Sequence, residues 1–300
     1  MFDYWKMDNS IKNGAVSGLI AGIVSGIVSI FSALFNFRIG LAYYYLPPPP
    51  ETPITRIALV ELTIVIIWGI LAGVIYSRAY DVIPTKGILK GLIFGLFCHL
   101  IMGIRTASFL LPYGIVPLAK VWLIAGFPTW IVYGLLIGLL YEILLGEDHD
   151  SKKRLKVLRF DVKNGMFTGA IAGILAGITG FVTVMTTILM GIWAPILFYE
   201  PLDYLRDIGF LAGQCGTHVF IHLIWGIIFG IIFTKVFNLI PGKSIVKGFC
   251  YGFIIYLFAG FHIAVLYMAY DVIYAAIIWG YTDFCALAVY GIVLGYLYKK

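Results

Sequence analysis

Gly14, Gly18, Gly22 and Gly26 stand four residues apart within a stretch, 14–35, that holds no ionisable side chain. On a helix this spacing puts all four on one face, as a groove into which a second backbone can come close. Helices associate this way in lipid, where burying apolar side chains against each other gains nothing over burying them in lipid tails. The same run returns at Gly165, Gly169, Gly173 and Gly177, and both open alike, Lys12-Asn13-Gly14 and Lys163-Asn164-Gly165. The chain reads as two copies of one unit.

Further matches keep a fixed register. Trp68-Gly69 and Gly73 return as Trp225-Gly226 and Gly230. Ile83-Pro84, Lys86, Ile88, Lys90 and Gly91 return as Ile240-Pro241, Lys243, Ile245, Lys247 and Gly248. The offset is 157 residues from the second helix onward and 151 for the first, which places a six-residue insertion in an outer loop of the second copy. The chain is 61% hydrophobic and 12% charged, with mean hydropathy +0.98, whereas soluble domains are about 45–50% apolar and about 25% charged. The expected fold class is all-α: a polytopic membrane helix bundle of eight transmembrane helices, arranged as two parallel four-helix repeats with a pseudo-two-fold axis along the membrane normal. The expected boundaries are 1–146 for the first repeat, 147–162 for a charged linker and 163–300 for the second repeat. In the first repeat the helices are predicted near 13–36, 57–79, 86–107 and 117–144, the last kinked at Gly126-Phe127-Pro128, where proline removes an amide and crowds the preceding turn.

The net charge of +6 does not indicate nucleic acid, because the basic residues mark orientation. With eight spans, one side receives 16 of the 21 Lys and Arg residues and the other receives Arg38, Arg56, Arg105, Lys120 and Arg206. The basic side is the cytoplasmic one, so both termini are expected inside, in a cell membrane. The lysine pairs Lys86 with Lys90 and Lys243 with Lys247 are expected to hold anionic headgroups, which makes lipids the expected partners. Protein partners would meet the outer loops Tyr43 to Pro50 and Tyr199 to Asp207.

Chemistry is sought among ionisable groups inside apolar spans, each of which costs about 2.5–3.5 kcal/mol to insert. The candidates for solute binding are Glu61, His99, Arg105, His218, His222 and Asp283, with Lys120 and His262 nearby in the sequence order of the spans. At matched positions the two copies differ: Glu61 against His218, Val65 against His222, Arg105 against His262, Gly126 against Asp283. One asymmetric site fits that divergence better than two equivalent ones. His218 and His222 lie four apart, a spacing at which two imidazoles can share a metal, and Asp283 is a candidate third ligand. The competing reading makes the histidines donors to backbone carbonyls, pairs Glu61 and Asp283 with Arg105 and Lys120, and lets Arg105 and Lys120 reach the interface.

Cys98, Cys215, Cys250 and Cys285 are isolated, with no CxxC pair, and are expected as small apolar packing residues. The chain lacks a glycine-rich phosphate loop and the Ser-x-x-Lys and GxSxG elements, which points away from an enzyme. Three functions follow. The first is a transporter- or channel-like protein that binds or moves a small solute or ion through an outward-facing polar cavity between the repeats. The second is a membrane redox subunit holding a transition metal or haem. The third is a non-catalytic membrane scaffold or complex subunit.

Overall fold

The computed structural model describes residues 9–38, 54–111, 116–124, 126–145, 161–190, 208–269 and 273–298. The predicted outer loops at 43–50 and 199–207 and most of the charged linker lie outside these residues. Among them the chain is helical: α1 (Asn9–Arg38), α2 (Ile54–Ala79), α3 (Ile88–His99), α4 (Arg105–Leu110), α5 (Val116–Ile124), α6 (Gly126–Leu145), α7 (Val162–Leu189), α8 (Ile208–Val236), α9 (Ser244–Tyr256), α10 (His262–Ala269) and α11 (Ile273–Leu297). Wider π-turns, Leu100–Ile104 and Leu257–Phe261, join α3 to α4 and α9 to α10. Eight helical stretches are long and apolar enough to cross a membrane, the all-α membrane architecture expected of the composition.

Each π-turn places one extra residue in its turn, which rotates the helix beyond it by about 100° relative to an uninterrupted α-helix.

The chain divides into two compact units, Met1–Ile104 with Pro117–Leu158, and Arg105–Val116 with Arg159–Lys300. The helix that starts at Ile88 is thus shared: its first part belongs to unit 1, and the part beyond the π-turn, α4, belongs to unit 2.

In unit 1, α1 packs on α2 and on α6, and α3 packs on α6. Glycines allow the approach. A methyl on Gly69 would stand 2.8 Å from Gly22 Cα, and one on Gly95 would stand 2.8 Å from Gly134 Cα. Tyr133 Oη, fully buried on α6, donates to the Gly69 carbonyl at 2.7 Å.

In unit 2, α7 packs on α8 and on α11, and α9 packs on α11. A methyl on Gly226 would stand 2.7 Å from Gly173 Cα. Tyr290 Oη donates to the Gly226 carbonyl at 2.9 Å, a bond that lies 157 residues on from Tyr133 and Gly69.

Lys90 and Lys247 each bond within their own unit. Lys90 Nζ donates to the Tyr80 carbonyl at 2.7 Å and lies 3.7 Å from the Tyr80 ring centroid. Lys247 Nζ donates to the Phe237 carbonyl at 2.9 Å, 4.3 Å from that ring. Both ammonium groups sit just past the ends of α2 and α8, where carbonyls lack helical partners and the helix dipole favours a cation. These two lysines close helix ends.

Candidate functional site

In unit 2 four of the six predicted site residues come together. Arg105, the first residue after the π-turn, is 1% exposed and grips Asp283 of α11 with both arms. Nη1 meets Oδ2 at 2.9 Å and Nη2 meets Oδ1 at 3.0 Å. Gly260, in the second π-turn, makes room for this carboxylate, since a methyl there would stand 3.0 Å from Asp283 Oδ2 and closer still to Asp283 Cβ. The pair satisfies itself: a planar fork on a planar carboxylate, each neutralising the other's charge. Arg105 therefore does not extend toward the interface as its long stem would allow.

The arginine continues into an aromatic and imidazole stack. Its guanidinium carbon lies 4.8 Å from the Phe109 ring centroid, one turn further along α4. Phe109 meets His222 edge-on at 4.9 Å and His218 at 6.0 Å. Trp279 meets Phe109 edge-on at 6.5 Å. α4 itself is fixed by Ser108, whose Oγ donates to the Arg105 carbonyl at 2.6 Å and accepts from Trp225 Nε1 of α8 at 2.9 Å.

Both histidines bond back along their own helix. His222 Nδ1 lies 2.9 Å from the His218 carbonyl, and His218 bonds the Gln214 carbonyl. A carbonyl can only accept, so His222 Nδ1 carries a proton, and in the neutral ring Nε2 keeps its lone pair. His222 is 5% exposed, and its Nε2 has no hydrogen-bond partner among the described residues. It faces Gly180 of α7, where an added methyl would stand 3.7 Å from Nε2.

His218, His222 and Asp283, the residues of the metal expectation, are engaged as follows. The two rings are stacked, 21° from parallel, with centroids 6.1 Å apart. Asp283 has both oxygens on Arg105. Among the described residues no group of three His, Cys, Asp or Glu side chains is placed to hold a metal ion.

Glu61 and His99 belong to unit 1. Glu61, half-buried on α2, accepts from Ser29 Oγ of α1 at 2.8 Å, so its carboxylate is served by a hydroxyl. His99, buried at the end of α3, bonds the Leu123 carbonyl and packs edge-on against Phe127 at 5.4 Å, beside Gly103 and Gly126. Lys120 is exposed on α5. Phe109, Ser108, Gly180 and Gly260 were not foreseen as parts of the site. Gly260 alone carried a sequence signal, as the match of Gly103 at the offset of 157.

Comparisons with protein-family models, with curated proteins and with solved structures each find no match.

Proposed function

We propose that this is an integral membrane protein of the transporter or channel kind, and that a small solute or ion passes or binds at Arg105, Asp283, His218 and His222. The observation that carries this reading is a buried His222 whose Nε2 lone pair is unanswered, in a stack that runs through Phe109 to a buried ion pair. An acceptor left without a donor costs about 1–3 kcal/mol. Valine at the matched position 65 of the first copy supports the view that the framework does not require a histidine there. Ionisable groups inside apolar spans are costly and commonly mark solute or proton paths.

Around this site the reading places eight spans in two parallel repeats held by glycine-faced contacts, in a cell membrane. An even number of spans puts both termini on one side. The excess of basic residues there, 16 of 21, favours the cytoplasmic face. The test is flux in proteoliposomes loaded with ion-sensitive dyes for protons, sodium, potassium and chloride. Wild-type protein is expected to speed one of these fluxes above protein-free vesicles, and His222→Gln, which leaves the ion pair in place, is expected to reduce it about tenfold or more, the loss of one well-placed polar contact. Flux equal to that of empty vesicles for every ion, or an unchanged His222→Gln variant, would contradict the reading.

A further inference from the structure

Unit 1 and unit 2 each contain the same cluster of four rings, and the differences between the two clusters are chemical. In unit 1, Tyr76 of α2 meets Tyr80 at 5.7 Å, Phe94 at 5.2 Å and Tyr141 at 5.4 Å, and Tyr80 meets Tyr141 at 5.1 Å. In unit 2, Phe233 meets Phe237 at 5.4 Å, Tyr251 at 5.1 Å and Tyr298 at 5.5 Å, and Phe237 meets Tyr298 at 5.0 Å. Every ring stands 157 residues from its counterpart, and the capping lysines Lys90 and Lys247 attend both clusters. Unit 2 is therefore a reference for what packing alone requires at these positions.

Packing alone does not require the Tyr76 hydroxyl, because a phenyl ring, Phe233, fills the equivalent place. Yet Tyr76 is 0% exposed, and its Oη has no hydrogen-bond partner among the described residues. Acid accompanies the hydroxyl. Glu142 of α6 accepts from Tyr80 Oη at 2.9 Å through Oε1. Its Oε2 lies over Gly87, at 3.2 Å from where a methyl on that glycine would stand. Burial first, and then the bond to Glu142, pushes the Tyr80 hydroxyl above its ordinary range, so it remains a donor at neutral pH. Asp81 and Glu142 are matched in sequence by Asn238 and Lys299, so two negative charges in unit 1 correspond to one positive charge in unit 2. The remaining nearby bases, Arg78 with Lys235 and Lys86 with Lys243, are alike in the two and do not alter that contrast.

We propose that Tyr76, Tyr80, Tyr141 and Glu142 form a binding site for one small monovalent cation, an alkali-metal ion or ammonium. The hydroxyl of Tyr76 and the carboxylate of Glu142 supply the oxygen donors that hard cations prefer, and the rings of Tyr76 and Tyr141 add attraction for positive charge, the Tyr80 ring being already faced by Lys90. A divalent ion lacks the set of carboxylates it would need here. This site is separate from the Arg105 cluster, and its occupancy is read without any flux.

The test is the thermal unfolding midpoint of the purified full chain in lipid nanodiscs, in sodium, potassium or ammonium chloride, against N-methylglucamine chloride at equal ionic strength. At least one small cation is expected to raise the midpoint by a few degrees, as saturating binding to the folded state does. Tyr76→Phe, which installs the ring that unit 2 already accommodates, is expected to fold and to lose the rise. Glu142→Gln is expected to lose it too, and Phe233→Tyr in unit 2 to retain it. No rise with any of the three cations, or an equal rise in Tyr76→Phe, overturns the proposal.

Discussion

Arg105 and Asp283 show how much a single side chain can commit the chain to. Removing one partner leaves the other charged and buried, which costs about 3–5 kcal/mol, whereas removing both leaves no uncompensated charge. Asp283→Asn is therefore expected to lower the unfolding midpoint in detergent strongly, and Arg105→Met to do the same. A combined Arg105→Met, Asp283→Leu variant is expected to regain most of the loss. A double variant as unstable as the sum of the singles would show that the two residues do not act as a pair. Reading the residues from sequence identified which ionisable groups were out of place in apolar spans, because that requires only local composition. It offered Glu61 and Asp283 as partners for Arg105 and Lys120 but could not say which pairs with which: Arg105 and Asp283 are 178 residues apart, and an arginine reaching toward the interface is equally consistent with its position. The directions of the imidazoles were hidden for a related reason. Helical spacing puts His218 and His222 on one face, but each ring turned back to its own helix carbonyls, and rotamer choice is invisible in spacing.

At the scale of helices, the glycine runs were the most legible feature. Four-residue spacing in apolar sequence specifies a face, and the structure meets those faces with backbone: α1 on α2, α7 on α8, α3 on α6, α9 on α11. Gly134 lies where a methyl would stand 2.6 Å from the Gly91 carbonyl oxygen. Gly134→Ala is expected to cost about 1–3 kcal/mol through overpacking. Gly213 and Gly216 have nothing within 4 Å of an added methyl, so Gly213→Ala or Gly216→Ala is expected to be neutral or to stabilise by up to about 1 kcal/mol through helix propensity. Reversible unfolding in mixed micelles separates the two cases, and equal costs at Gly134 and Gly213 would show that close approach is not what holds these helices. The π-turns were not legible. Their sequences, Leu100–Ile104 and Leu257–Phe261, have the composition of the α-helices around them, and only packing decides where a helix takes the extra residue.

Across the whole molecule, the same offset of 157 relates the tyrosine-to-glycine bonds, the lysine caps, the π-turns and the ring clusters of the two units. The polar groups do not follow it. Arg105, Asp283, His218 and His222 gather in unit 2, while Tyr76, Tyr80 and Glu142 gather in unit 1. Repetition of the apolar framework could be read from sequence, since matched glycines and tryptophans survive in register. The Tyr76 cluster could have been read as well, from tyrosine against phenylalanine at matched positions, but only with the knowledge that these rings touch. Under the proposed transporter or channel function, the polar groups of unit 2 serve flux and not stability. One measurement addresses this directly: ion flux and unfolding midpoint determined together on the Arg105→Met, Asp283→Leu double variant in the same proteoliposomes. The account predicts a midpoint near that of the wild type with flux reduced to that of empty vesicles. A variant that keeps both its midpoint and its flux would contradict it.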